Sequence, residues 1–107
     1  MTKYLVTDEK ARAIARAAVN VEAARRAADE AHENLCKAMV YVEQNSGWDP
    51  ISAFTWTGGS WHSTLGKDDE RFAIFLDALD DRRAARRQLG ARRAALTRLV
   101  RSLEVKE

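Results

Sequence analysis

From Thr7 onward, apolar residues return at Ile14, Ala17, Val21, Ala24, Ala28, Ala31, Leu35, Ala38 and Val42, in alternating steps of three and four. That spacing keeps them on one stripe, the seam of a long amphipathic or coiled-coil helix. Thr7 precedes the stripe as an N-cap, and Asp8 and Glu9 suit the positive end of the helix dipole. Val6 is placed to staple against Ala11. Glu22–Arg26, Arg26–Glu30 and Glu33–Lys37 form i,i+4 pairs on the polar side. The pattern stops near Asn45-Ser46-Gly47, where Gly47 can take the left-handed position after a helix. At ~1.5 Å per residue the element would be roughly 55 Å long. A helix of that length is expected to protrude, bend or pair with a second copy.

The pattern changes between Trp48 and Gly66, which hold all three Trp, Phe54, the only Pro and a cluster of Ser and Thr. Asp49-Pro50 reads as N-cap and first position of a short helix, with Ile51 and Phe54 on one side. The rival is a hairpin in which Phe54-Thr55-Trp56 and Trp61-His62-Ser63 flank Thr57-Gly58-Gly59-Ser60. The Asp-Pro signal is the more specific of the two, and the short helix is the preferred reading.

A second helical pattern opens at Lys67-Asp68-Asp69-Glu70 and runs to about Glu104. Phe72, Phe75, Leu76 and Leu79 share one side of it, whereas Ala85, Leu89, Leu96, Leu99 and Leu103 lie on nearly the opposite side. The switch falls at Asp80-Asp81. Either the helix kinks or restarts there, or one straight helix meets different partners along its length. In the second case the aromatic turns would pack on the Trp-rich segment. The expected fold class is all-α: a single-domain helical hairpin with helices over about 7–45 and 67–104, joined by a Trp/Gly elbow with a short helix. A dimer could complete a four-helix bundle.

Composition supports that outline. The chain has 107 residues, enough for one domain, with one Pro and five Gly. Much of its apolar content is alanine, so each turn buries little. The single Cys36 excludes an intrachain disulfide and suits a reducing compartment. Met1–Val6 lacks the apolar core of a signal peptide, and no apolar run reaches membrane-spanning length. The expected location is the cytoplasm of a bacterial host, away from any membrane.

Net charge is +2, but its distribution is uneven: residues 80–107 carry nine Lys/Arg against four Asp/Glu. Arg82, Arg83, Arg86, Arg87, Arg92, Arg93, Arg98 and Arg101 follow one another with no acid between them. On a helical wheel all but Arg92 fall within less than half the circumference. Guanidinium groups offer planar paired donors to phosphate and carboxylate, so this face could meet nucleic acid or an acidic protein. The plainer alternative is a solvated outer face, or pairing with acids of the first helix. No aromatic residue interleaves the arginines, which disfavours stacking on single strands.

Trp48, Trp56, Trp61 and His62 form the second candidate surface, since Trp is enriched at binding hot spots. Trp in an Ala-rich protein also serves as core bulk. The chemistry-bearing residues are sparse. His32 and Cys36 are four apart and could share a metal, but two ligands make no structural zinc site. Asp68-Asp69-Glu70 is most simply a helix start. Nothing supplies nucleophile, base and oxyanion donors together, so no catalytic residue, metal or cofactor is expected.

Trp56-Thr57-Gly58 sits between two helical arms and in that respect resembles the secreted Trp-x-Gly helical-hairpin family, which would imply dimerisation and export. The chain departs from that family in its Arg-rich second arm, and its tail is Leu103-Glu104-Val105-Lys106-Glu107. In general type it is similar to small phage-encoded anti-CRISPR proteins: short, helical and without catalytic residues. That resemblance implies a non-enzymatic inhibitor or adaptor that binds a protein or nucleoprotein complex. A homodimer formed through the Ala/Leu seam is also expected.

Overall fold

The computed structural model describes residues 2–46, 54–57, 60–63 and 69–106. Its elements are β1 (Thr2–Tyr4), α1 (Asp8–Ser46), β2 (Phe54–Thr57), β3 (Ser60–Ser63), α2 (Glu70–Arg101) and β4 (Glu104–Lys106). Two long helices carry the fold, and the all-α helical hairpin holds as its class. Two short antiparallel strand pairs, β1 with β4 and β2 with β3, are added to it.

Both helices begin as their caps dictate. The Thr7 Oγ1 accepts the Lys10 backbone N–H at 3.2 Å, and no Gly or Pro interrupts the 39 residues that follow. Val6 remains 58% exposed, so the staple onto Ala11 is not closed. At the second start, Asp69 is the cap: its Oδ1 accepts the Arg71 N–H at 2.8 Å. The same carboxylate grips the Arg71 guanidinium, Nε to Oδ1 at 2.9 Å and Nη2 to Oδ2 at 2.6 Å. That grip, led by the Arg71 side-chain hydrogen bond, holds the Asp69 carboxyl down at about 2. With Asp69 as cap, α2 starts three residues later than the pattern suggested.

It also ends three residues earlier. Arg98 and Arg101 lie in its last turn, where cations suit the dipole. The Ser102 hydroxyl donates to the Leu99 carbonyl at 2.6 Å, and the Leu103 N–H donates to the Val100 carbonyl at 3.1 Å. This turn releases Glu104–Lys106 into a strand pair with Thr2–Tyr4, in register Thr2↔Lys106, Lys3↔Val105 and Tyr4↔Glu104. The Leu5 N–H to the Leu103 carbonyl, 2.7 Å, extends the pairing.

The chain divides into two compact units, a terminal unit of Met1–Ala28 with Ala85–Glu107, and a central unit of Asp29–Ala84. In the central unit Leu35 and Val42 of α1 cluster with Phe72, Phe75 and Leu79 of α2, and Met39, Leu76 and Ala78 pack around them. Val42 has no exposed surface. In the terminal unit the buried apolar residues are Ala17, Ala24 and Leu103, with Ile14, Val21, Leu89, Leu96 and Leu99 half-buried.

Every one of the nine seam positions on α1 is buried or half-buried. The stripe is thus the buried face of α1 along its whole length. At Asp80-Asp81 α2 runs on uninterrupted, so the helix does not restart there. Its aromatic turns face the last turns of α1, a partner the sequence reading did not name for them.

Phe54–Thr57 and Ser60–Ser63 pair as the strands of the hairpin reading, in register Phe54↔Ser63, Thr55↔His62, Trp56↔Trp61 and Thr57↔Ser60. β-Branched and aromatic residues fit a paired, pleated surface better than a single helical turn. A short helix opening at Asp49-Pro50 lies outside the described residues.

Candidate functional site

The arginine face is built by the continuity of α2. Because the helix does not break at Asp80-Asp81, the arginines keep the angular order of the wheel. Arg86, Arg87, Arg93, Arg98 and Arg101 are all exposed, whereas Ala85, Leu89, Leu96 and Leu99 are half-buried. These five belong to the terminal unit, whereas Arg82 and Arg83 belong to the central one. Arg92 stands apart. With the Gln88 amide turned so that its oxygen faces that guanidinium, the oxygen accepts from both Nε and Nη2 at 3.0 Å.

Folding sharpens the charge pattern. The terminal unit gathers thirteen Lys/Arg against five Asp/Glu, net +8, and the central unit gathers five against eleven, net −6. Along the sequence the first 45 residues look neutral, with seven of each sign. The fold divides that stretch, leaving Lys3, Lys10, Arg12, Arg16, Arg25 and Arg26 with the C-terminal arginines. Only some of this charge is neutralised locally. Glu22 accepts from Arg25 at 2.7 and 3.0 Å and from Arg26 at 3.3 Å. Those hydrogen bonds, Arg25 foremost, lower the Glu22 carboxyl to about 2. Nearer the start of α1 the Lys10 ammonium donates to the Ser102 carbonyl at 3.2 Å.

Arg82 has a different job. It is half-buried, and its Nε–H donates to His32 Nδ1 at 3.2 Å, joining the two helices of the central unit. The other ring nitrogen, Nε2, lies 3.8 Å from the Cys36 sulfur. Since Nδ1 accepts from Arg82, the proton of the neutral ring sits on Nε2. The imidazole therefore faces the thiol as a donor and cannot take its proton, which is the opposite of a nucleophile–base pair. No sequence signal marks the Arg82–His32 contact, because it joins residues fifty apart across the hairpin.

The aromatic candidates are placed by register alone. Trp56 and Trp61 are cross-strand partners in the β2–β3 register, and His62 pairs with Thr55. Trp48 lies outside the described residues. Among the described residues no group of three or more His, Cys, Asp or Glu is set to hold a metal, and no helix is long and apolar enough to cross a membrane.

Comparison with protein-family models, with curated proteins and with solved structures finds no match to this chain.

Proposed function

We propose that this chain is a non-enzymatic binding module, an inhibitor or adaptor of phage or bacterial origin acting in the host cytoplasm. It docks the arginine face of its terminal unit onto an acidic site of a larger protein or nucleoprotein complex. The observation that carries the reading is the outward row Arg86, Arg87, Arg93, Arg98 and Arg101 in a unit of net +8. Such a surface steers an acidic partner and fixes its orientation. Trp56 and Trp61, paired in register on β2 and β3, supply a second contact of the hot-spot type. In manner of action this resembles the anti-CRISPR inhibitors, which occupy a site without performing chemistry on it.

The test is capture from nuclease-treated bacterial lysate by the tagged chain and by Arg86→Glu/Arg87→Glu/Arg93→Glu. A protein partner held by the first and lost by the second supports the reading. A partner held equally by both removes the arginine face from it.

The second reading is a nucleic-acid accessory protein, favoured by the same arginines as paired donors to phosphate. It requires duplex binding that falls steeply with salt, with a shallower slope in the triple variant. Salt-insensitive or absent duplex binding counts against it. The export reading drawn from Trp56-Thr57-Gly58 ranks third. It has the two helical arms in its favour, though Trp56 and Thr57 are strand residues here.

A further inference from the structure

Val19 is the most exposed large apolar side chain among the described residues, at 68%. It stands on the terminal unit's stretch of α1, one turn beyond Ala15, which is also exposed. Two open grooves lie beside it. One, of about 490 Å³, is lined by Glu9, Arg12, Ala15 and Arg16, and the next, of about 310 Å³, by Ala15, Arg16, Val19 and Asn20. Sharing Ala15 and Arg16, they make one trough along α1, roughly 17 Å from end to end by helical rise. Ala15 and Val19 are one i,i+4 pair and Arg12 and Arg16 another, so an apolar row runs beside a cationic one. Neither of these arginines makes a hydrogen bond or ion pair among the described residues, whereas Arg25 and Arg26 of the same helix are drawn to Glu22.

We propose that this trough docks an acidic amphipathic helix of another protein, about three turns long. The apolar row of that helix covers Ala15 and Val19, and its carboxylates meet Arg12 and Arg16. The inference rests on the binding-module reading and adds a contact on α1 to the arginine row of α2. Charge selects the occupant: the terminal unit is net +8, so it attracts an acidic chain and repels a second terminal unit. A phosphate backbone could take both arginines but would leave Val19 in water, whereas an apolar helix face covers it. The small Ala15 and the exposed Ala23 beyond Val19 let a second helix axis approach closely. Glu9, at one end, repels any carboxylate set against it, so the partner's acids must fall at Arg12 and Arg16, which fixes register.

The test is fluorescence anisotropy of a labelled, end-blocked peptide of about sixteen residues, with leucines at helical spacing on one face and glutamates flanking them. It is titrated with the full chain in reductant. Saturable binding is expected, and a peptide with glutamine in place of glutamate should bind about tenfold more weakly. Val19→Ser removes the apolar anchor without changing charge, and Arg12→Glu/Arg16→Glu reverses the cationic row. Each should weaken binding by about tenfold, with helicity by circular dichroism unchanged. Arg86→Glu/Arg87→Glu/Arg93→Glu should weaken it less than the α1 pair does. An acidic peptide that does not bind, or that binds no better than its glutamine form, overturns the proposal. So does binding that Val19→Ser leaves intact, the behaviour of a contact made by charge alone, as with a phosphate backbone. Binding weakened most by the α2 triple variant also overturns it, and leaves the arginine row of the proposed function standing without this trough.

Discussion

The two units of this hairpin are built from the same pair of helices yet differ in nearly every physical respect. In the central unit α1 contributes Leu35 and Val42 and α2 contributes Phe72, Phe75 and Leu79. In the terminal unit the same stripes offer Ala17 and Ala24 against half-buried leucines. Burial of a large side chain contributes about 1.5–3 kcal/mol, several times what a methyl group contributes. The central unit is therefore the anchor of the hairpin. The terminal unit, net +8, adds like-charge repulsion to a thin core and relies on the β1–β4 pairing and the Lys10–Ser102 contact. The comparison teaches that binding charge is concentrated where the fold is least able to bear it, a division common at functional surfaces.

The largest effect should come from the central core. Phe75, 4% exposed, sits in the middle of the cluster, and Phe75→Ala should cost about 3–5 kcal/mol by denaturant unfolding. Leu96→Ala, at a half-buried position of the terminal unit, should cost clearly less. Equal losses would erase the distinction between the units.

A smaller effect of opposite sign is expected at Gly90. It lies inside α2, and a Cβ built there meets nothing within 4 Å. Gly90→Ala should stabilise by about 0.5–1 kcal/mol, read as a raised melting temperature, through helix propensity alone. A lowered melting temperature would mean that the terminal unit is packed more tightly at that point than its half-buried leucines indicate.

The smallest effect is in acid. Asp69 in the central unit and Glu22 in the terminal unit both have carboxyls lowered to about 2, from ordinary values of 3.8 and 4.5. A group whose folded value is depressed stabilises above its unfolded value and loses that contribution as pH falls through the folded one. Stability should therefore decline from about pH 4.5 toward about pH 2. Asp69→Asn and Glu22→Gln should each flatten part of that decline. A titration curve that neither variant changes would show that these arginine contacts are not kept in solution.

Much of the architecture was legible because it depends on local spacing. The nine-position stripe from Ile14 to Val42 marked the buried face of α1 correctly along its whole length, and the Thr7 cap was visible as a residue type before a pattern. The terminal strands were not. Lys3-Tyr4-Leu5 and Glu104-Val105-Lys106 are too short to show a period, and they pair only because the helices bring the chain ends together. The ribbon over 54–63 was legible as an alternative but lost to Asp49-Pro50, since a two-glycine turn and a Pro cap are rival local signals within one short stretch.

Of the candidate site, the arginine row was legible and the charge separation was not. Arg86, Arg87 and Arg93 lie consecutively enough for a wheel to align them. The opposition of net +8 and net −6 arises from joining residues 1–28 to residues 85–107, which no window along the chain can see. For the same reason Arg82, read from sequence as one more binding arginine, proves to be tied to His32.

The most direct test of this division is amide hydrogen exchange along both helices at low and at raised salt. The expected result is slowest exchange at Leu35–Val42 and Phe72–Leu79 and faster exchange at Ile14–Ala24 and Leu89–Leu99. The gap should narrow as salt screens the arginines. Equal protection in the two units, or a gap that salt does not change, would contradict the account of a well-cored acidic anchor carrying a thin, self-repelling basic arm.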